Sequence, residues 1–478
     1  MQIYDPSWTE AAVIRGLARL PQLQDLQLIL NRNQIYECSV GDIQLDRLTG
    51  LKRISLSGNH IHHPPNIISG LAGLIAKSPQ LVHLEVKLGH RGISQEAPTL
   101  HDVLNKVPED HPLQLTHLAL NRTSICVDSS ILPHLRSLIS LDLRNLPTPS
   151  NPINDDTNLT RERLEQACST SDICAVLKRE DIYLKHVVAS DVGVFDYLCS
   201  YSGLETLDLC SMSFNTVDES NTSARTFYKS VLPQLVHSLQ VLKIQPEEEG
   251  RWCFNPDDVF QSVALHQCNK LRSLSVALNS TSIIQIIQSI YHPNLILHLH
   301  QYKSNLDVPV CPVDPTFQLP MSQGLLQISS LINLSLSLPT LSEICIVIPK
   351  QGFGSDVVIL GNSEMVRLYR RIVMELVTRS ITEFSLHVGH DSIPHIGQLL
   401  PDIWVSGMKL YQYQTPDDGE RHGYKLTYHK PLDPYQYEDD NTVVSPTAFF
   451  VEPLEDLNFA FGRIRTTSIA TNFNTDIY

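Results

Sequence analysis

LQLTHLALNRTSICVDSSILPHLRSLISLDLRNL, residues 113–146, contains one small pattern twice. Leu115, Leu118 and Leu120 fall at offsets 0, 3 and 5, and Leu138, Leu141 and Leu143 repeat that spacing. Successive side chains of a strand point to opposite sides, so the last two leucines of each copy share one face. The polar residues between them then share the other. A unit this short cannot bury its apolar face alone, and recurrence along a chain implies that copies stack.

Outward from this pair the L-x-x-L-x-L template recurs. Towards the N-terminus it is met at Leu23, Leu26 and Leu28, at Leu51, Ile54 and Leu56, continuing through Asn59 to Ile61, and at Leu81, Leu84 and Val86. Beyond the pair come Leu204, Leu207 and Leu209 with Phe214, then Leu239, Leu242 and Ile244, then Leu271, Leu274 and Val276. Later copies are Leu341, Ile344 and Ile346, and Ile381, Phe384 and Leu386. Leu295, Leu297 and Leu299 alternate as a strand does but lack the first leucine, and the stretch 325–338 reads as helix or strand. Clear neighbours start 28, 30, 34 and 23 residues apart, then 35 and 32, longer and less regular than the usual repeat of about 20–29 residues.

Between the strands the text is helical. Ile67, Ile68, Leu71, Leu74 and Ile75 form one stripe, and Leu100, Val103, Leu104 and Val107 another, each with the spacing of an amphipathic helix. In NPDDVFQSVALHQC, Asn255 suits the N-cap, Pro256 the first helical position, and Asp257 and Asp258 the positive end of the helix dipole. Ser363 opens a longer helix through Met365, Leu368, Ile372, Val373 and Leu376. Alternation of strands with crossover helices requires parallel strands. The expected fold is therefore α/β, a leucine-rich-repeat solenoid over residues 1–408, with a curved parallel sheet inside, helices outside and long, irregular repeats.

Two segments interrupt the pattern. From Pro147 to about Asp191, beginning PTPSNPINDDTN, prolines and turn formers predict a loop insertion near 147–190 or a hinge between two half-arrays. From about Lys409 the composition changes: residues 409–478 hold seven of the sixteen tyrosines, and eleven acids oppose five bases from Tyr411 onward. KLYQYQ and YKLTYH flank PDDGERHG, the pattern of a β-hairpin. This acidic, tyrosine-rich segment is expected to be a C-terminal cap or a docking tail.

The strand ends LTGLKRISLSGNHI, KSPQLVHLEVKL, SGLETLDLCSMSF and CNKLRSLSVAL resemble the ribonuclease-inhibitor-like leucine-rich repeats of F-box proteins, especially fungal ones, over roughly residues 10–400. The resemblance implies a substrate-holding array and, where an F-box is present, a ubiquitin-ligase adaptor as partner. That module opens with a leucine-proline signature. Here the one Leu-Pro near the start, Leu20-Pro21, belongs to the first repeat, so only the repeat role carries over. The resemblance brings no catalytic residues.

Composition narrows the functional classes. With 36 bases against 51 acids, a net charge of −15 and no basic run longer than a pair such as Lys178-Arg179, nucleic acid is not the expected partner. MQIYDPSWTE carries no cationic region followed by an apolar run, so a secretory signal is not expected. The most apolar stretches, such as 344–348, fall far short of the roughly 20 residues that span a bilayer. Ten cysteines without a C-x-x-C suit free thiols in a reducing compartment, cytoplasmic or nuclear. The sequons at Asn121, Asn158, Asn221, Asn279 and Asn333 then carry no weight.

No chemistry is anchored by a motif. His298 and His300 share a strand face without a third ligand, His60, His62 and His63 flank prolines in a turn, and QGFGSDV has Val357 where a dinucleotide fingerprint needs glycine. Neither cofactor nor metal is expected. The informative surface is the polar face of the strands: Asp25, Gln27, Ser55 and His387 lie on it, and the candidate binding residues are Arg53, His83, Glu85, Lys87, His117, Asn121, Asp142, Arg144, Asp208 and Lys243. The expected function is a non-enzymatic protein-protein interaction scaffold, of substrate-receptor type. An enzyme with a site in 147–190 or 409–478 is the alternative.

Overall fold

The computed structural model describes residues 2–3, 11–30, 44–58, 65–88, 99–144, 169–278, 318–347, 401–405, 408–414, 422–428 and 449–450, a few single positions within them excepted, together with Val373, Leu376, Val377 and Ser380. The chain divides into two compact units, residues 1–278 with 333–352 and residues 279–332 with 353–478.

In the first unit the strands are β1 (Gln2–Ile3), β2 (Asp25–Leu30), β3 (Arg53–Gly58), β4 (His83–Leu88), β5 (His117–Asn121) and β6 (Ser140–Arg144). They continue as β7 (His186–Ala189), β8 (Thr206–Met212), β9 (Val241–Pro246), β10 (Ser273–Ala277) and β11 (Glu343–Val347). Each pairs in parallel with the next. The template leucines stack in register: Leu26, Ile54, Leu84, Leu118, Leu141, Val187, Leu207, Leu242, Leu274 and Ile344 form one continuous row. None of them is more than 4% exposed. The first unit is a leucine-rich-repeat solenoid.

Ahead of each strand one carbonyl accepts from two successive amides. Gln24 O receives Lys52 N and Arg53 N at 2.7 and 3.0 Å, Lys52 O receives Val82 N and His83 N at 2.9 and 3.1 Å, and the same fork continues at Val82, Thr116, Ile139, Lys185, Glu205, Gln240 and Arg272. A carbonyl oxygen has two lone pairs, so both amides are satisfied. Helices about 10 Å across back strands spaced about 4.8 Å apart, and that mismatch bends the stack so that the sheet lines its inner side.

Helices fill the crossovers. Pro65–Ala76 buries Ile67, Leu71, Leu74 and Ile75. Leu100–Leu104 opens with a reciprocal capping box between Thr99 and Asp102, and Thr170–Arg179 with another between Ser169 and Asp172. The stretch 325–338, left open between helix and strand, belongs to the helix Gln318–Ser337 in all but its last residue. In NPDDVFQ the helix starts later than its proline suggests: Asp258 is the cap, accepting from Phe260 N and Gln261 N, while Asn255 accepts from Asp257 N in the turn before it. The copies at Leu295 and Ile381, the helix from Ser363 apart from buried Val373 and Leu376, and His387 lie outside the described residues.

The expected loop insertion near 147–190 is corrected over its second half. Residues 170–179 form a helix and 186–189 form β7, paired to β6 and β8. Leu184, Val187 and Ala189 are an unrecognised copy of the template, 1%, 2% and 0% exposed. Its helix ends on Asp181 in the left-handed region (φ 54°), with Ile182 N donating to Leu177 O and Asp181 N to Lys178 O. That is the closure normally marked by glycine. Tyr197 then fixes the approach to β7: its hydroxyl donates to Ile182 O at 2.6 Å and accepts from Leu184 N at 3.1 Å.

In the second unit β12 (Asp402–Val405), β13 (Met408–Gln414), β14 (His422–Tyr428) and β15 (Phe449–Phe450) pair antiparallel in succession, with Tyr411 opposite Lys425. The hairpin read from KLYQYQ and YKLTYH is this β13–β14 pair.

Leu118 and Leu141 are 3% and 4% exposed, while Ser140 is half-buried on the opposite face. Leu118→Ala or Leu141→Ala should cost about 2–5 kcal/mol in denaturant unfolding. Ser140→Ala should stay within about 0.5 kcal/mol of the parent.

Candidate partner-binding face

On the face opposite the leucines the register builds three rows. The first runs Asp25, Arg53, His83, His117, Ser140, His186, Thr206, and the second Gln27, Ser55, Glu85, Ala119, Asp142, Val188, Asp208, Lys243. The third begins Ile29, Ser57, Lys87, Asn121, Arg144. Every candidate residue falls in one of these rows. Arg53, His83 and His117 share the first, Glu85, Asp142, Asp208 and Lys243 the second, and Lys87, Asn121 and Arg144 the third. His186 joins them unforeseen, because its repeat was not recognised in the sequence.

The rows differ in access. In the first row the Arg53 and Asp25 side chains are 66% and 59% exposed and His83 32%. Deeper in, Glu85 and Lys87 are 14% and 15% exposed, and Asp142 and Arg144 12% and 25%. Asp142 is nearly buried on this face. Both deep pairs sit two residues apart on one strand and satisfy each other. Lys87 Nζ is ion-paired with Glu85. Arg144 grips Asp142 in a fork, Nε to Oδ1 at 2.9 Å and Nη2 to Oδ2 at 2.6 Å, the geometry that makes such pairs strong. The Arg53–Asp25 pair at 3.9 Å is exposed and correspondingly weak.

Electrostatics follow from this packing. Burial pushes the Glu85 carboxyl up, but His83 and Lys87 outweigh it and hold the pKa down at about 2. Burial lowers the Arg144 pKa, yet the Asp142 carboxylate more than reverses it, so the guanidinium is held charged. His117 is pushed below the ordinary imidazole range, first by burial and then by His83, His186 and Arg53. The rings of His83 and His117 lie 5.3 Å apart, and Thr116 Oγ1 sits 2.8 Å from His117 Nδ1. Ala119, between the two deep ion pairs, has the smallest side chain of the second row.

Among the described residues no group of three His, Cys, Asp or Glu side chains gathers as a metal site, and His298, His300, His60, His62, His63 and the QGFGSDV stretch lie outside the described residues. Pockets of about 480 and 430 Å³ are lined by helix and turn residues such as Arg15, Asp46 and Lys77, and Arg225, Arg251 and Phe260, rather than by the sheet. No described helix is long and apolar enough to cross a membrane. Among the described cysteines Cys174, Cys199 and Cys268 are free thiols.

No protein-family model matches the sequence, and no curated protein matches it. Among solved structures the chain is similar to one described as the crystal structure of the TLR13–ssRNA13 complex, at 16% identity and a TM-score of 0.28, over 69% of this chain and 40% of that one. The assignment of the fold rests on the parallel ladder and its leucine register.

Two measurements probe the deep pairs. Glu85 has a depressed folded pKa, so its stabilisation is present above about 4.5, the ordinary carboxyl value, and is lost as pH falls towards 2. Glu85→Gln should flatten the acid limb of a stability-versus-pH curve in that window. Arg144→Ala should cost about 1–3 kcal/mol by stranding Asp142. Asp142→Ala with Arg144→Ala should cost clearly less than the sum of the two single losses.

Proposed function

We propose that this protein is a non-enzymatic interaction scaffold that holds a protein partner on the open sheet face of β3 to β9. The observation that carries the reading is the face itself: a contiguous, register-locked polar surface whose deep ion pairs are satisfied within single strands, leaving the first row and the short Ala119 side chain for contact. Concave solenoid surfaces are usual binding surfaces. Across β4, β5 and β6 such a surface spans about 10 Å, enough to seat an anchoring side chain. A role as a substrate receptor related to the F-box repeat proteins, in the cytoplasm or nucleus, is the finer form of the proposal. Its support is the resemblance of the strand ends.

The test compares the partners recovered with the full chain and two variants by affinity purification and mass spectrometry. Ala119→Arg puts a long side chain on the sheet face without touching the leucine side, and Val263→Arg changes an exposed helix position, 51% exposed. Loss of at least about tenfold in a reproducible partner for Ala119→Arg but not for Val263→Arg supports the proposal. The reverse result moves the site to the helix side. Co-recovery of a ubiquitin-ligase adaptor supports the receptor form, and a reproducible unrelated partner without it overturns that form alone.

A further inference from the structure

The charged residues of the face from β2 to β9 cancel. Asp25, Glu85, Asp142 and Asp208 oppose Arg53, Lys87, Arg144 and Lys243 in the registered rows. Lys185 and Glu205, at the foot of β7 and β8, cancel as well through a 2.9 Å bridge. What remains is the first row, where His83, His117 and His186 stand on β4, β5 and β7 beside Arg53. The imidazoles therefore set the sign of the whole face, near zero when neutral and positive when protonated.

We propose that this row receives an acidic peptide segment of the partner, which lies across the strands and is held more tightly as the imidazoles take up protons. The proposal rests on the open-face reading and names the chemistry of its ligand. From β3 to β7 the row is about 19 Å long, four strand spacings, and an extended peptide covers that distance in about six residues. Carboxylates set along it meet Arg53 and the histidine rings directly, because this row is more exposed than the two behind it.

The surroundings of each ring fit that role. His83 faces Glu85 on its own strand, with Nε2 to carboxylate 4.0 Å, and is flanked by Arg53 on β3 and His117 on β5. His117 has His83 on one side and Ser140 on the other, then His186 one strand further. His186 lies between Ser140 and Thr206, with Lys185 and Glu205 next to it in the chain and across the ladder. So His117 in the free row resists protonation, first because it is buried and then because His83, His186 and Arg53 stand around it. A ligand carboxylate removes that resistance, and by linkage binding must then strengthen as pH falls through the imidazole range. The negative charge of the chain as a whole does not oppose this, because charges more than about 8 Å away are largely screened at physiological salt.

The probe is fluorescein-labelled octa-aspartate, titrated with the full chain by fluorescence anisotropy at about pH 7.5 and about pH 5.5, where its carboxyls stay ionised. Binding should tighten at least about tenfold at the lower pH, about one decade for each proton taken up per pH unit. His117→Gln with His186→Gln should abolish most of that gain. His117→Lys, charged at both values, should bind at pH 7.5 nearly as well as the parent at 5.5, and it decides the matter if the glutamine variant does not fold. Equal affinity at both pH values in the parent, or an undiminished gain in the glutamine variant, overturns the proposal. So does binding of octauridylate in place of octa-aspartate. A partner still lost by Ala119→Arg alongside pH-independent octa-aspartate binding would overturn the acidic ligand and leave the open-face reading standing.

Discussion

The forked carbonyl is the interaction on which the rest depends. From Gln24 to Arg272 each incoming strand is hung on one oxygen that takes two successive amides at 2.7 to 3.2 Å, so the register of every strand is set by the one before it. Because donor and acceptor are backbone atoms, the fork asks almost nothing of the side chains: the acceptors are Gln, Lys, Val, Thr, Ile, Lys, Glu, Gln and Arg in turn. What it does require is an amide on both donors, so proline is excluded there, and an apolar anchor one or two residues ahead to hold the chain down. That anchor is the first leucine of the template, as at Leu51, Leu81, Leu115 and Leu138, none more than 3% exposed.

A register fixed this way has a consequence on the other face. Residues 20 to 70 positions apart in the chain become neighbours about 4.8 Å apart, in rows that no local sequence pattern shows. Within a strand, residues two apart share the face and can pair, as Glu85 with Lys87 and Asp142 with Arg144 do. These two pairs are intrastrand, so β4 and β6 each neutralise themselves, and the ladder then places neutral Ala119 and Asn121 between them. Had the opposite charges lain on different strands instead, the loss of one repeat would have left its neighbour unbalanced.

The leucine triplets made most of this legible. Every described template copy read from the sequence is a strand of the ladder, and the polar residues between the leucines lie on the face assigned to them. Three things were not legible. The copy at Leu184, Val187 and Ala189 ends on the smallest of apolar side chains, and its helix stops on Asp181 rather than on glycine, so both of its punctuation marks were disguised; His186 was lost with it. The start of the helix at Val259 turned on which of two acids and an asparagine would cap, and the side chain nearest the free amides won. The burial of Asp142 was also hidden. Alternation assigns a face but not a depth, and depth comes from the neighbours that the register supplies.

Depth is what separates the two kinds of polar residue on this face. A carboxylate only 12 to 14% exposed needs a fixed cation, because leaving it unpaired would cost about 1–3 kcal/mol, and Arg144 and Lys87 provide one within the same strand. Once paired, such residues have little left to offer a ligand. The first row is under no such demand, because its side chains, such as Asp25, Arg53 and His83, reach solvent. A repeat array can thus carry two kinds of polar residue on the same face, the paired charges forming the floor and the more open row forming the edge, separated by a single step of two residues along each strand.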